Sequence, residues 1–526
     1  MSKTSTILVP VYSVLRTTLI QKRMLSSGTC REWAKAQMAD QSLHVEDMAA
    51  CGSQSVRRRP LVVDMDGTLV RSDLLIETAL SELACRPRSA IGMFNALRRG
   101  KAALKHYAAS SVDFDASALP YDGAVLEEIE TAQKDGRPVY LASAATERVV
   151  SAVADHLGVF DGHVGSDATT NCAGKAKAAK LVEAFGEGGF DYIGNDADDL
   201  AVWSKCGKAI GIRVSGRVSR RLAAMPVEAK YLTDEKPSWR TWARLLRMHQ
   251  YSKNLLLLVP LLASHQLTPE NLIVLGIGFV SFCLCASSVY IINDLVDLQA
   301  DRMHPTKRLR PLADGKIRLI HALFAAPLLF LASFILAAGV SPAFFAVLLG
   351  YFALTTAYTF YLKRKMLIDV VTLAMLYTVR IIAGAIAIGV DVSPWLLTFA
   401  IFIFLALALV KRYAELATRL DLQLSEPSNR NYKFEDLGVV AAFAAAAGYN
   451  SVTVFALYIS SPDVNVLYQR PQMLWFVCPV LIYWISRLVM IAHRRSMTED
   501  PIVFAMTDRN SLLSFLIAGL AVVAAV

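Results

Sequence analysis

The chain has 526 residues, of which 54% are hydrophobic, and it carries a formal net charge of +9 at pH 7. The length exceeds that of a typical single domain, and the hydrophobic share favours a lipid bilayer over one large soluble core. The basic residues gather in short segments between apolar runs, where phospholipid headgroups account for them, so the charge excludes nucleic acid as the expected partner.

Three regions follow in chain order. Within residues 1–55, the moderately apolar run from Ser5 to Ile20 is interrupted by Pro10 and Arg16 and no clean cleavage site follows it, so we expect a flexible leader or an over-extended start, not a secretory signal. Residues 56–235 alternate short β-like runs with amphipathic stretches, which predicts an N-terminal α/β domain. Residues 240–526 are hydrophobic throughout, which predicts an all-α transmembrane bundle.

Acidic side chains end the first predicted strand, PLVVDMDGTLV, in which alternation sends Asp64 and Asp66 to the same side. The carboxyl edge of a parallel sheet is where open α/β folds place their sites. A DxD pair alone is weak evidence because acidic turns are common, but three further stretches add chemistry. These are VYLASAATE with Ser143, NCAGKAKAAKL with Lys177, and FDYIGNDADDLAVW with Asn195, Asp196 and Asp199.

Together these stretches resemble the haloacid dehalogenase (HAD) superfamily of phosphohydrolases across the whole domain. The resemblance implies that Asp64 takes the phosphoryl group as nucleophile, while Asp66 protonates the leaving oxygen and then activates water. Ser143 would hold a phosphate oxygen and Lys177 would neutralise charge. An aspartate can attack phosphorus only when a cation and a lysine suppress the repulsion between anions.

The resemblance also implies a Mg²⁺ ion among Asp64, the Asp66 carbonyl group and the acidic cluster. The family usually has an acid where this chain has Asn195, so we expect Asp196 or Asp199 to complete the metal site. A HAD-shaped domain kept only as a scaffold is the alternative.

Nine spans are predicted in the hydrophobic region, which makes the expected fold a HAD-like α/β domain followed by a nine-helix transmembrane bundle. Lysine and arginine crowd the loops on one side, and the loops on the other side contain only Arg470. The positive-inside rule therefore places the α/β domain and the basic loops in the cytoplasm. The predicted spans lie near residues 246–264, 272–292, 319–340, 342–361, 366–390, 394–410, 437–459, 474–492 and 511–526.

A polar stretch, NDLVDLQADRMHPTKRLRPLADG, follows the second predicted span. On a helix Asp294, Asp297 and Asp301 are spaced i, i+3 and i+7 and share one face, with Asn293 one turn before Asp297. Like charges on one face repel unless divalent cations lie between them. Because Mg²⁺ prefers carboxylates together with substrate phosphate oxygens, the pattern predicts a diphosphate clamp.

The basic residues that follow can bind further phosphate oxygens; they are His304, Lys307, Arg308 and Arg310. The alternative is a solvated loop bound to anionic lipid. That alternative explains the basic residues but not three aspartates at helical spacing.

The motif NDxxDxxxDR, with RMHQYSKN at the entry to the first predicted span, resembles the UbiA superfamily of intramembrane prenyltransferases. Four further stretches resemble its decaprenyl-phosphate phosphoribosyltransferase branch: DRMHPTKRLRP, AYTFYLKR, LALVKRYAEL and EDPIVFAMTDRNS. Prenyltransferases of the superfamily generally have a second aspartate-rich motif. Here that region has Lys363 and the single Asp369, which favours the phosphoribosyl branch.

The resemblance implies that phosphoribosyl diphosphate (PRPP) donates its 5-phosphoribosyl group to a polyprenyl phosphate and that diphosphate leaves. Asp294, Asp297 and Asp301, with Asn293, would hold Mg²⁺ on the departing diphosphate. Arg380, inside a span, would meet the acceptor phosphate or pair with Asp369. Lys411 and Arg412 are equally explained as inside-loop charges. The substrate-binding residues implied are Lys253, Arg302, Lys307, Arg308, Arg310, Tyr358, Lys363, Arg380, Lys411 and Arg412.

The joined domains suggest successive steps on the cytoplasmic face of a bacterial inner membrane, with the HAD domain removing the 5-phosphate of the lipid product. An epimerase or glycosyltransferase would act downstream, and the oligomeric state stays open. Three alternatives remain: an aromatic prenyltransferase, a regulatory HAD module on a membrane anchor, and a transporter. A transporter is disfavoured because the sequence has no inverted repeat and no pair of broken helices.

Overall fold

The computed structural model describes residues 58–526, apart from 87–88, 99–106, 108–114, 167–171, 234–235, 305, 424, 427–429, 463 and 498–500. The expectation for the leader, residues 1–55, lies outside the described residues. Residues 59–526 form one unit by their contacts. Its α/β elements run from Leu61 to Tyr231, and the helical part begins at Trp239.

A six-stranded, fully parallel sheet forms the core of the N-terminal domain, in the order β3-β2-β1-β4-β5-β6. All four residues of β1 are buried, as expected for a central strand covered by helices on both faces. This confirms the predicted parallel α/β domain. The strands are β1 (Leu61–Asp64), β2 (Val139–Thr146), β3 (Gly162–Ser166), β4 (Asp191–Gly194), β5 (Lys208–Gly211) and β6 (Glu228–Tyr231).

Helices pack on both faces of this sheet. One buried cluster joins β1 and β2 to the helices on one side, and a second joins β1, β4 and β5 to the helices on the other. The described helices are α1 (Leu74–Cys85), α2 (Ser89–Arg98), α3 (Gly123–Lys134), α4 (Glu147–Leu157), α5 (Gly174–Phe185), α6 (Leu200–Trp203) and α7 (Gly216–Ala223).

Asp122 fixes the turn that follows β1. Its side chain accepts hydrogen bonds from Ala124 N and Val125 N at the start of α3, and it forms ion pairs with Arg71 and Arg213. Burial acts to raise the pKa of Asp122, but the two arginines outweigh burial and lower it. Arg213 also donates to the carbonyl groups of Gly67 and Thr68, so the turn after Asp66 is held by side chains from distant parts of the chain.

The C-terminal part is helical. Four large apolar side chains on one face of α12, Phe324, Leu328, Leu331 and Ile335, are more than half exposed, which fits a face turned towards lipid. The helices are α8 (Trp239–Leu245), α9 (Val259–Ala263), α10 (Pro269–Val296), α11 (Leu298–Met303), α12 (Leu319–Val340), α13 (Pro342–Phe360), α14 (Ile368–Ile388), α15 (Pro394–Asp421), α16 (Leu437–Ile459), α17 (Val464–Leu467), α18 (Val477–His493), α19 (Pro501–Thr507) and α20 (Arg509–Ala525).

Seven helices in the described part of the chain are long and apolar enough to cross a membrane, and the number rises to eight if α19 and α20 form one broken span. A bend of 78° separates those two helices. The predicted helical membrane domain is confirmed, but its predicted count of nine spans is not. The seven are α10, α12, α13, α14, α15, the segment Phe434–Ile459 that includes α16, and the segment Pro471–His493 that includes α18.

The first predicted span, 246–264, has a different structure. It is a 3-10 helix, Met248–Leu258, followed by the five-residue α9. The residue before the 3-10 helix, Arg247, has a left-handed backbone conformation with φ of 53°. The segment lies tightly against α14, because a Cβ atom at Gly384 would meet the Leu257 carbonyl oxygen at 2.1 Å. Leu257 and Leu261 of this segment are buried in the cluster that joins it to neighbouring helices, and the segment is not one of the seven helices counted above.

Candidate active sites

Asp64 ends the central strand β1 and is almost fully buried. Its Oδ1 lies 2.6 Å from Lys177 Nζ, and its Oδ2 accepts a hydrogen bond from the Thr68 hydroxyl at 3.0 Å. Burial raises the pKa of the Asp64 carboxyl to about 7, against the opposing effect of Lys177. Burial acts to lower the pKa of Lys177, but the carboxylates of Asp64 and Asp199 outweigh it and raise that pKa. The stretch NCAGKAKAAKL contains three lysines, of which the predicted Lys177 reaches Asp64 while Lys175 is exposed.

Asp66 lies beside Ser143 and the start of α1. Its Oδ2 accepts a hydrogen bond from the Ser143 hydroxyl at 3.3 Å, and its Oδ1 accepts one from Leu74 N at 3.1 Å. Gly67 follows with φ of +73°, and a Cβ atom there would meet Asn195 Nδ2 at 2.2 Å. The Asn195 side chain therefore lies directly against the turn that carries Asp66, and only glycine fits that turn.

The acidic cluster after β4 mainly braces its own loop. Asp199 is buried; its Oδ1 accepts from the Tyr192 hydroxyl at 2.7 Å and its Oδ2 accepts from Asn195 N and Asp196 N. Asp196 is exposed and bonds to the N–H of Ala197. Tyr192, which sequence reasoning did not single out, also accepts from Lys177 at 3.0 Å. It points inward from a buried strand, so neither a motif nor a charge marked it.

A cleft opens beside Asp66 under α1. Its walls are mostly apolar, and α1 supplies one of them. The residues lining the cleft are Asp66, Leu74, Leu75, Thr78, Ala145, Thr146 and Val149.

The three aspartates of the second site lie at the junction of α10 and α11, among cations. Arg310 Nη1 contacts Asp294 at 3.0 Å and also pairs with Asp301, and both carboxylates are buried. Asp297 is partly exposed, with Lys363 Nζ 3.4 Å from its Oδ2. Burial raises the pKa of the Asp301 carboxyl, although Arg310 acts in the opposite direction. The structure thus places two of the predicted cations, Arg310 and Lys363, against the predicted acids.

Arg247 is a further cation of this site that sequence reasoning missed. Its guanidinium pairs with Asp294 and lies 4.7 Å from the centre of the Tyr290 ring. The residue begins the stretch RMHQYSKN at the entrance to the membrane domain, and that placement was the available signal.

Other predicted residues of this region have different surroundings. Arg302 forms a buried ion pair with Glu77 of α1, and its predicted part in substrate binding stays a prediction. Asn293 and Lys307 are half-buried, and Arg308 is exposed. Lys307 lies close enough to Asp301 to oppose the rise in its pKa that burial causes.

Arg380 is buried among polar groups of three helical segments. It donates to Asn254 Oδ1 at 2.8 Å, to the Tyr351 hydroxyl at 2.9 Å and to the Leu376 carbonyl group. No carboxylate pairs with it among the residues that the structure describes. Lys253 lies over the Tyr377 ring, near the Arg380 guanidinium. Both Lys253 and Arg380 are buried.

Asp369 pairs with Arg412, at 2.7 Å, and not with Arg380 as one expectation had it. Asp369 also accepts a hydrogen bond from the Tyr432 hydroxyl at 2.6 Å, and the acid and the arginine are at most 1% exposed. Arg412 is therefore engaged in a buried ion pair, and its predicted role in substrate binding stays a prediction. Lys411 and Tyr358 are half-buried.

The donors present suit Mg²⁺ at both sites. Carboxylate and amide oxygens are the ligands that this ion prefers, and it is usually bound by one or two carboxylates together with substrate phosphate oxygens. In the described part of the chain, no group of three or more His, Cys, Asp or Glu side chains is arranged to hold a metal ion unaided. Arg310 and Lys363 form ion pairs with two of the clamp aspartates. Phosphate oxygens of a substrate would therefore have to complete the coordination of a Mg²⁺ ion at this site.

A parallel α/β domain with a buried aspartate–lysine pair, joined to a helical membrane domain with an acidic helix end, defines a membrane transferase that carries a hydrolase-like domain. The chain belongs to the UbiA prenyltransferase family, whose model matches residues 255–518. Residues 61–202 match the model of the haloacid dehalogenase-like hydrolases.

Similar proteins match most of the chain or about half of it. An uncharacterized protein of Sinorhizobium fredii is 35% identical over 86% of this chain and 89% of its own length. The nodulation protein NoeC of Azorhizobium caulinodans is 33% identical over 53% of this chain and 92% of its own length. A decaprenyl-phosphate phosphoribosyltransferase of Corynebacterium glutamicum is 35% identical over 46% of this chain and 74% of its own length.

Proposed function

We propose that the membrane domain transfers the 5-phosphoribosyl group of PRPP to a polyprenyl phosphate at the cytoplasmic face of the bacterial inner membrane, and releases diphosphate. One observation carries this choice over ordinary prenyl transfer: Asp369, the acid in the region of a second aspartate-rich motif, is closed off by Arg412 and Tyr432. The clamp of three aspartates is then the acidic site left for a diphosphate. The similarity to a decaprenyl-phosphate phosphoribosyltransferase supports the same choice.

The donor would bind between the aspartates and the cations that now neutralise them. Asp294, Asp297 and Asp301 would hold the diphosphate through Mg²⁺, which supplies positive charge to the leaving group. Arg310 and Lys363 already lie against these acids, so they are placed to contact phosphate oxygens of the donor. PRPP brings a second phosphate on the sugar, and a cation-rich site suits that additional charge.

The acceptor phosphate would meet Arg380. A buried arginine in a membrane span is costly, and this one is held by neutral oxygens of Asn254, Tyr351 and Leu376. An anionic phosphate would supply the missing countercharge. Because that phosphate is already ionised, the attack on the anomeric carbon requires no general base.

The N-terminal domain would then remove the 5-phosphate of the lipid product. A carboxylate oxygen of Asp64 would attack phosphorus while the bond from phosphorus to the sugar oxygen breaks, and Asp66 would protonate that oxygen. Water activated by Asp66 would hydrolyse the aspartyl phosphate. The Asp64–Lys177 contact and the Asp66–Ser143 hydrogen bond are the geometry that supports these roles. The resulting lipid-linked ribose is a substrate for an epimerase or a glycosyltransferase.

Transfer can be tested with the full chain in membranes. Incubation with PRPP labelled in the ribose and with a polyprenyl phosphate should yield a labelled, organic-extractable lipid and free diphosphate. Membranes that instead join a prenyl diphosphate to an aromatic acid and ignore PRPP would replace the proposal with an aromatic prenyltransferase.

A further inference from the structure

Helix α1 lies between the two candidate sites and touches the surroundings of both. Leu74 N donates to Asp66 at 3.1 Å, and Leu74 and Thr78 line the hydrolase cleft. On the other face of the helix, Ile76 and Leu80 pack against an apolar cluster from α10, α11 and the loop that follows α11. One helix of the hydrolase domain is thus also part of the packing that supports the transferase clamp.

Glu77 of α1 forms the polar centre of this contact. Arg302 donates to its two carboxylate oxygens at 2.8 and 2.5 Å, and both side chains are 4% exposed. Arg302 Nε also donates to the Ala313 carbonyl group at 3.2 Å. A buried charge that loses its partner is strongly unfavourable, so each member of this pair fixes the position of the other.

Arg302 connects the two pieces of chain that build the clamp. It directly follows Asp301 in α11, and Ala313 lies three residues after Arg310. Arg310 in turn contacts Asp294 and Asp301. The Arg302 guanidinium therefore connects α11, which contains Asp301, to the loop that contains Arg310. The carboxylate that orients this guanidinium belongs to Glu77 of the N-terminal domain.

Two further contacts anchor the end of that loop to the hydrolase domain. Arg318 donates to the Arg213 carbonyl group at 2.8 Å. Gly315, at φ of +68°, lies so close to Arg71 that a Cβ atom would meet the Arg71 carbonyl oxygen at 2.6 Å. The loop that carries Arg310 is therefore held at several points by the N-terminal domain.

We propose that Glu77 is a positioning residue of the transferase site, which acts through Arg302 to hold Asp301 and Arg310 in the geometry that binds a diphosphate. The proposal rests on the proposed diphosphate clamp. It gives the N-terminal domain a part in the transfer step that does not depend on its own hydrolase chemistry.

The test measures the affinity of the full chain in detergent for inorganic diphosphate with Mg²⁺, by calorimetry. Glu77→Gln keeps the size of the side chain and removes its charge, and we expect it to weaken binding roughly 10-fold or more, the usual effect of losing a supporting partner of a ligand. KM for PRPP should rise more than kcat falls. The matched control is Glu130→Gln, which removes the charge of an exposed carboxylate on α3 whose partner, Lys134, is exposed as well, and which should leave both values unchanged.

A merely structural role would give a different pattern. If Glu77→Gln lowers the unfolding temperature but leaves diphosphate affinity and KM unchanged, the proposal is overturned. Glu77→Asp retains the carboxylate and should recover part of the affinity. If Glu77→Gln does not insert into the membrane, the test passes to Glu77→Asp, whose side chain is shorter. A wild-type affinity of Glu77→Asp for diphosphate would then count against the proposal. Inorganic diphosphate is common to PRPP and prenyl diphosphates, so this readout stands even if the wild type ignores PRPP, which would contradict the proposed function alone.

Discussion

Asp297 is the most open of the three clamp aspartates. Its side chain is 32% exposed, whereas those of Asp294 and Asp301 are 4% exposed. We expect Asp297→Asn to reduce lipid labelling from PRPP roughly 100-fold or more, the scale for losing an electrostatic group at a developing charge. Membrane insertion should be unchanged.

The matched control for that variant is Asp314→Asn. Asp314 lies in the nearby loop, and its carboxylate pairs with Lys316 at 2.6 Å, away from the clamp. Near-normal turnover in Asp297→Asn over a range of Mg²⁺ concentrations would show that the clamp assignment is wrong.

The cations of the clamp give a second prediction at the scale of single residues. Arg310→Ala and Lys363→Ala should each weaken PRPP binding by about 1–3 kcal/mol, the scale of a hydrogen bond to a charged group. For whichever of these residues contacts the 5-phosphate, the substitution should weaken the binding of inorganic diphosphate less than the binding of PRPP. Lys365→Ala, which removes an exposed lysine two positions from Lys363, is the control. Equal losses for PRPP and diphosphate in both variants would contradict a separate 5-phosphate contact.

Local spacing predicted part of this site. The i, i+3, i+7 pattern indicated a shared face, and in the structure Arg310 bridges Asp294 and Asp301. Arg247 could not be inferred from spacing because it lies 47 residues before Asp294 in the chain. Arg302 follows Asp301, but a helix turns by about 100° per residue, so its side chain leaves the acidic face and reaches the other domain.

Helices α14 and α15 are joined by a buried ion pair that the sequence did not identify. Arg412→Gln would leave the carboxylate of Asp369 buried without its countercharge. We expect that variant to lower the free energy of unfolding by roughly 3–5 kcal/mol, measured by denaturation in detergent. The double variant Asp369→Asn/Arg412→Gln should lose less than the sum of the single variants. Additive losses would mean that the pair does not stabilise these helices as a unit.

Helix boundaries were predictable where long apolar runs were bounded by polar residues, as for α10 and α12. The 3-10 helix from Met248 to Leu258 was not predictable, because hydropathy alone does not distinguish an apolar stretch in lipid from one packed against other helices. The missing information was the close approach of Gly384 to Leu257, a contact between residues far apart in the chain.

The proposed function assigns two chemical steps to the whole molecule, and we expect them to be separable. Asp64→Asn would remove the proposed nucleophile of the hydrolase site but leave the clamp intact. Phosphoribosyl lipid should therefore accumulate in membranes that carry this variant, as mass spectrometry of the extracted lipids would show. If the variant instead releases 5-phosphate as fast as the wild type, the N-terminal domain acts as a scaffold.

One measurement tests the central claim, phosphoribosyl transfer followed by dephosphorylation, most directly. The full chain is supplied with polyprenyl phosphate and with PRPP that carries one label in the ribose and a second in the 5-phosphate. We expect ribose label without phosphate label in the lipid made by the wild type, and both labels in the lipid made by Asp64→Asn. Lipid from Asp297→Asn should contain neither. The account would be contradicted if the lipid from wild-type membranes contained no ribose label while the same membranes consumed a prenyl diphosphate under the same conditions.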